Sequence, residues 1–307
     1  MVDLEKLLKK YKVLSIVGMC KNAGKTTMLN CIIGLYAKSG LRVALTSIGR
    51  DGEKKDIVTD TEKPGIYVKE GSIIATGEKL LRLCDITKEI IATTQMTTPL
   101  GNVTLVKALS DGNVQIAGPS MTEQLKELNN LFKSFEVDNI IIDGAIGRKS
   151  LGSRSVAEGL VLCTGASYHR NFQKVIDDTV FTYRLMKLPK AATIPLQGEF
   201  EQMLKEHGEA FITGALLDST IEPMLLSGNM KGKRIVVRDP SSILLTSHMV
   251  EKMDRQQVRL EVISAADVAV VAINPVSAYG IVFDKDEFKE RLAERIDVPV
   301  INVKELA

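Results

Sequence analysis

The sequence has no surplus of either charge: 40 Lys plus Arg face 38 Asp plus Glu, for a formal net charge of +2. That balance argues against nucleic acid or an anionic membrane surface as a partner. Its longest apolar stretch, Val268 to Ile273, is far too short to span a bilayer. The charged, amphipathic segment Met1 to Lys12 lacks the apolar region and small-residue cleavage site of a signal peptide. Cysteine is scarce, and Cys20, Cys31, Cys84 and Cys163 form neither a C-x-x-C pair nor a zinc-spaced set with histidine. They read as reduced, mostly buried thiols, so the expectation is a cytoplasmic protein. No repeat or low-complexity tract is evident. What is present is ordinary for a globular chain of 307 residues: 45% hydrophobic and 25% charged, with length enough for two domains.

Apolar runs alternate with amphipathic helices through the first half, which predicts an α/β fold with a mostly parallel sheet. Val13 to Val17 reads as a buried strand. Thr27 to Lys38 reads as a helix with Met28, Cys31, Ile32, Leu35 and Tyr36 on one face, stopped by Ser39-Gly40. Leu41 to Ile48 is the next strand. Residues 62–118 read as an irregular β-rich insertion with a hairpin of Val103–Leu109 and Val114–Ala117 closed around Asp111-Gly112. Ser120 is placed to cap a helix running to about Ser134, and Asn139 to Ile142 is a buried strand ending in Asp143-Gly144. Leu160–Cys163 and Asn171–Met186 continue the alternation. Pro189 suggests a boundary, dividing the chain into a larger N-terminal unit, residues 1–190, and a smaller C-terminal α/β domain, residues 191–307, with five further strands.

The most informative segment runs from Val17 to Thr27, between a strand and a helix: Gly18-Met19-Cys20-Lys21-Asn22-Ala23-Gly24-Lys25-Thr26-Thr27. A glycine-rich turn entering a helix directs backbone N–H groups and the helix dipole at phosphate oxygens. Lys21, Asn22, Ala23, Gly24, Lys25, Thr26 and Thr27 are therefore the expected nucleotide-binding residues. Lys25 supplies a point charge to the terminal phosphates and Thr26 offers a hydroxyl to Mg²⁺. Gly18 stands one residue earlier than the strict pattern, leaving Met19 where the first glycine belongs, as though the loop were one residue longer. Cys20 lies near a helix N-terminus, where a thiol pKa can be lowered, although packing is the plainer role.

Asp143, delivered by an apolar strand to the edge where open α/β sheets bind ligands, is the expected second Mg²⁺ ligand. Asp51, after the strand that ends in Thr46-Ser47-Ile48, could orient the attacking water, with Arg50 nearby to stabilise charge. Lys25, Asp51 and Asp143 thus form the expected catalytic set. Arg148 and Lys149 either neutralise phosphate or stay in water, and His169, His207 and His248 read as loop or surface residues. No Asn-Lys-x-Asp guanine signature occurs, which favours ATP over GTP.

These motifs resemble the P-loop class that includes MinD, dethiobiotin synthetase and the molybdopterin-guanine-dinucleotide adaptor protein, over roughly residues 11–187. Lys21 is similar to the extra signature lysine of MinD-like ATPases, which reaches across a dimer, but stands one residue out of register. More closely, Val17–Asn30, Thr46–Asp56, Lys63-Pro64 with Gly71–Thr76, and Asp143–Ser150 resemble the KamB-type accessory subunit of lysine 5,6-aminomutase. That resemblance implies an ATP- and Mg²⁺-dependent factor that reactivates an adenosylcobalamin-dependent aminomutase together with a companion ATPase subunit, a homodimer being one arrangement. The competing expectation is a small-molecule kinase or an ATP-dependent ligase of the dethiobiotin-synthetase type.

Overall fold

The computed structural model describes residues 3–48, 65–145 and 156–306. After the short helix α1 (Leu4–Leu8), strand β1 (Val13–Gly18) is buried at every position. A parallel strand covered on both faces needs apolar side chains without alternation, and Val-Leu-Ser-Ile-Val supplies them. Helix α2 (Lys25–Lys38) buries Met28, Leu29, Ile32, Ile33 and Tyr36. Leu29 and Ile33 displace Cys31 and Leu35 from the expected stripe, leaving those two half-buried. The helix ends where sequence places its stop, with Gly40 left-handed at φ 71°. Strand β2 (Val43–Ser47) follows.

Residues 66–117 depart from the sequence expectation. Their strands are β3 (Ile66–Val68), β4 (Ile73–Gly77), β5 (Lys88–Thr98), β6 (Gly101–Ala108) and β7 (Gly112–Val114). The hairpin expected around Asp111-Gly112 does not form. β6 pairs antiparallel with β5 on one side and β4 on the other, so it has no free edge, and β7 pairs with β3 instead. The tight connection is Pro99-Leu100, with Gly101 at φ 94° entering β6. Asp111 accepts from the backbone N–H of Glu70 (2.8 Å) and pairs with Lys69 (2.6 Å), which ties that turn to a neighbouring loop. These strands extend the main sheet more than they decorate it.

Helix α3 (Thr122–Lys133) is entered through Met121, with Ser120 outside the cap position, and leads to β8 (Asn139–Ala145). Strand β9 (Gly159–Gly165) and helix α4 (Phe172–Met186) complete this half; the Asn171 side chain caps α4 by accepting from Lys174 N–H (3.1 Å).

The C-terminal part contains α5 (Phe200–His207), β10 (Glu209–Ile212), β11 (Leu216–Leu217), α6 (Asp218–Leu226), β12 (Arg234–Val237), β13 (Ile243–Leu244), α7 (Ser247–Arg255) and β14 (Arg259–Val262). β15 (Asp267–Asn274), α8 (Lys285–Ala293) and β16 (Val300–Asn302) follow. Its expected strands divide between sheets. β10, β12 and β14 form a parallel three-stranded sheet over their own core, including Leu204, Ile221, Met249 and Met253. β15 and β16 return to the main sheet, where β15 pairs with β9. The physical reason lies in Val268–Ile273, an unbroken apolar run that demands cover on both faces and is fully buried here. The architecture also repeats where the sequence shows no repeat: β10–β11–α6 and β12–β13–α7 are successive strand, two-residue strand and helix units, and β11 pairs with β13.

The main sheet runs β16-β15-β9-β1-β8-β2-β4-β6-β5, parallel from β16 to β4. β1 therefore sits between β8 and β9. The C-terminal ends of these central strands share one edge of the molecule, the edge at which ligands bind in open α/β sheets.

Candidate functional site

Between β1 and α2 the chain reverses through two left-handed residues, Asn22 at φ 60° and Gly24 at φ 89°. Gly24 is the N-terminal cap of α2, so the helix begins at Lys25 and its first N–H groups face the turn. The Lys25 stem then folds back across the last residue of β1. A Cβ on Gly18 would lie 2.8 Å from both Lys25 Cγ and Cδ. That contact accounts for the early glycine: the close approach needed here is between the lysine stem and Gly18, while Met19 continues the ladder by donating to Cys163 O (2.9 Å).

Lys25 Nζ reaches the neighbouring strand, donating to Gly144 O (2.9 Å) and lying 3.8 Å from Asp143 Oδ1. The two side chains are only 13% and 21% exposed, so their attraction is less screened than that of a surface pair. Register explains the meeting. Ile16 of β1 aligns with Asp143, and Ser47 of β2 aligns with it from the other side. The ends of β1, β8 and β2 thus bring the loop lysine and the strand-end carboxylate into one site. Thr26 and Thr27 occupy the first turn of α2, half-buried, and Ala23 is buried. Lys21 is exposed.

Some expected residues are used otherwise. Thr46 donates its hydroxyl to Ala75 O (3.2 Å), and Ser47 Oγ accepts from Gly118 N–H (3.1 Å), so both hold neighbouring chain segments. His169 accepts from Asn171 N–H (3.0 Å) within its own loop, and His207 and His248 are exposed. Asp51, Arg50, Arg148 and Lys149 lie outside the described residues.

The cysteines near the loop are not activated. Burial pushes the Cys20 thiol up to about 11 and the Cys163 thiol up to about 12, with Lys25 only partly offsetting this. Desolvating the thiolate outweighs the nearby positive charge of Lys25. At pH 8 the Cys20 thiolate is therefore rarer than in an open peptide. Iodoacetamide labelling of Cys20, followed by peptide mass spectrometry, should run roughly a hundredfold slower than for an unstructured thiol and accelerate as pH rises toward 11. Fast labelling at pH 8 would contradict this.

Sequence reasoning missed the far wall of the site. Asn274, the last residue of β15, donates its side-chain amide to Asn22 O (2.9 Å), fixing the left-handed turn from the opposite side. A Cβ on Gly24 would meet Val303 Cγ2 at 2.9 Å, so the turn after β16 also packs against the loop. The backbone carbonyl of Asn274 accepts from Ala166 N–H (2.9 Å), binding the loop after β9 into the same wall. One signal existed: Asn274 ends the longest apolar run, as Asp143 ends its strand.

Among the described residues no group of three or more His, Cys, Asp and Glu side chains could hold a metal ion, and no helix is long and apolar enough to cross a membrane. No family model matches the chain, and no curated protein matches it. Among solved structures, it is similar to the MinC:MinD cell division protein complex of Aquifex aeolicus at 14% identity, over 85% of this chain and 81% of that one, with a TM-score of 0.31. It is also similar to pNOB8 ParA bound to nonspecific DNA, at 14% identity over 82% and 86% of the two chains, with a TM-score of 0.29. The α/β architecture itself stands on the sheet order and the strand–loop–helix described above.

Proposed function

We propose that the chain binds ATP with Mg²⁺ at the loop from Lys21 to Thr27, hydrolyses it slowly, and uses the nucleotide state to reactivate an adenosylcobalamin-dependent aminomutase. The observation that carries the nucleotide reading is Lys25: its stem lies over Gly18 and its ammonium sits beside Gly144 O and Asp143 at the C-terminal edge of three parallel strands. A terminal phosphate placed there meets the lysine charge, the N–H groups of the turn and the start of α2. The donors suit Mg²⁺, since the Thr26 hydroxyl and the Asp143 carboxylate are hard oxygen ligands. Magnesium bound through them would neutralise phosphate charge.

Calorimetric titration tests the binding step. Lys25→Ala removes a charge-assisted contact worth about 1.5–3 kcal/mol, so ATP affinity should fall roughly ten- to a hundredfold. Equal affinity in the two proteins would end the assignment. The aminomutase role rests on the resemblance of residues 17–30, 46–56 and 143–150, and on its physical coherence. A radical enzyme left with inert cobalamin must open to exchange it, and ATP can drive opening only if the two nucleotide states differ in affinity for that enzyme. Inactivated lysine 5,6-aminomutase given this protein, its companion subunit, ATP, Mg²⁺ and fresh adenosylcobalamin should regain turnover, and Lys25→Ala should not support it. Recovery without ATP, or none in any combination, would put the kinase or ligase reading in front.

A further inference from the structure

Met19 stands where the strict phosphate-loop pattern has its first glycine, and the structure gives its side chain a place. Its backbone is not left-handed: the non-glycine residues with positive φ among those described are Asn22, Glu136 and Gln257. No glycine is needed there. The Met19 N–H extends the pairing of β1 with β9 by one residue, through Cys163 O. Its half-buried side chain packs against the core that also holds Val175, Ile176 and Val180 of α4. On that helix the Thr179 hydroxyl lies 3.4 Å from the Met19 sulfur.

Thr179 is fully buried, and its hydroxyl has two further neighbours, Val175 O at 2.6 Å and Thr164 Oγ1 at 2.9 Å. A hydroxyl donates one proton. That proton is divided between Val175 O and Met19 Sδ, so Thr164, itself fully buried near the end of β9, is the donor of the third contact. A threonine bonded to the carbonyl four residues back is common in helices. The contacts beyond its own helix set Thr179 apart, because they join α4 to β9 and to the first residue of the loop. The loop is also held at its other end, where Asn274 donates to Asn22 O (2.9 Å). Backbone fixed at both ends before a phosphate arrives loses less freedom when it binds.

We propose that Thr179 is a positioning residue for the phosphate loop: with Thr164 it seats the Met19 side chain and so sets the geometry in which the loop receives ATP. The inference rests on the ATP reading of that loop. Calorimetric titration of ATP with Mg²⁺ into the full chain tests it, with melting temperatures measured on the same preparations. Thr179→Val keeps the shape and removes the hydroxyl, so ATP affinity should fall about three- to tenfold. Thr179→Ser retains the hydroxyl and should stay within about twofold of wild type. Met19→Gly restores the strict glycine pattern, yet it removes the anchor and should weaken ATP binding roughly tenfold. In a double-mutant cycle, Thr179→Val should cost less in the Met19→Leu background than alone, because the sulfur that its hydroxyl meets is gone. Should Thr179→Val fail to fold, Met19→Gly and Met19→Leu carry the same test from the loop side. A lower melting temperature with unchanged ATP affinity in Thr179→Val would make the residue purely structural and overturn the inference, as would tighter ATP binding by Met19→Gly. A wild-type chain that binds no ATP would instead overturn the nucleotide reading, and this inference with it.

Discussion

Asp143→Asn should lower the rate of ATP hydrolysis on the order of a hundredfold while changing ATP affinity far less. The substitution keeps shape and removes one negative charge from a group 3.8 Å from Lys25 Nζ. In the absence of nucleotide the carboxylate draws the lysine toward β8, where Lys25 also bonds Gly144 O at 2.9 Å. On the proposed function an arriving phosphate would bring its own negative charge to Lys25, so loss of Asp143 would not remove the principal phosphate contact. What is lost is the fixed anion that would hold Mg²⁺ and order the surrounding dipoles for the transition state, an effect whose removal typically slows a reaction by 10² to 10³ on the order of magnitude. The expected pattern is thus a fall in kcat with the nucleotide dissociation constant nearly unchanged. Steady-state phosphate release and calorimetry on the same preparation, with circular dichroism to verify the fold, give both quantities. A large loss of affinity with an unchanged rate would instead make Asp143 a simple positioning group for Lys25.

How far this site could be read from the sequence depends on how local its causes are. The turn from Val17 to Thr27 was legible because strand, glycine turn and helix start are written within eleven consecutive residues, and Asp143 because its apolar strand leads straight to it. Gly18 needed the structure, since its reason for being glycine is a side-chain stem folded back over it. Asn274 was out of reach for a different reason. Its partner Asn22 lies 252 residues away, and nothing in either neighbourhood encodes that β15 crosses back to pair with β9. The hairpin expected around Asp111-Gly112 failed for the same cause: turn residues report a local reversal, whereas the partners of β6 are decided by which strands compete for its two edges. The boundary inferred at Pro189 marks where the chain leaves the main sheet, but no local feature announces its return at Asp267.

The second large effect concerns the three-stranded sheet. Arg234→Ala should destabilise the protein by about 2–3 kcal/mol, below the usual range for breaking a fully buried ion pair from one side because both carboxylates keep some access to water. Arg234 begins the central strand β12 with its side chain 8% exposed. Its guanidinium donates to Glu261 Oε2 through Nε (2.9 Å), to Glu209 Oε2 through Nη1 (2.7 Å) and to Thr193 O through Nη2 (2.6 Å). One side chain therefore joins β10, β12, β14 and the segment leading into α5. The Glu261 carboxylate, 16% exposed, is the costly survivor of the substitution, whereas Glu209 at 39% exposure can recover water and contributes less. Alanine leaves two like charges and an unpaired carbonyl around an emptied volume, which is why the expected loss exceeds that of an ordinary surface charge. Replacing the whole set by Arg234→Met, Glu209→Leu and Glu261→Met removes the stranded charges together, and such exchanges are often neutral or stabilising. Urea unfolding of both variants separates the alternatives. A triple variant as unstable as Arg234→Ala would mean that the residue acts chiefly through packing and the Thr193 bond, and an Arg234→Ala loss below about 1 kcal/mol would mean that water reaches both carboxylates as readily as at an exposed pair.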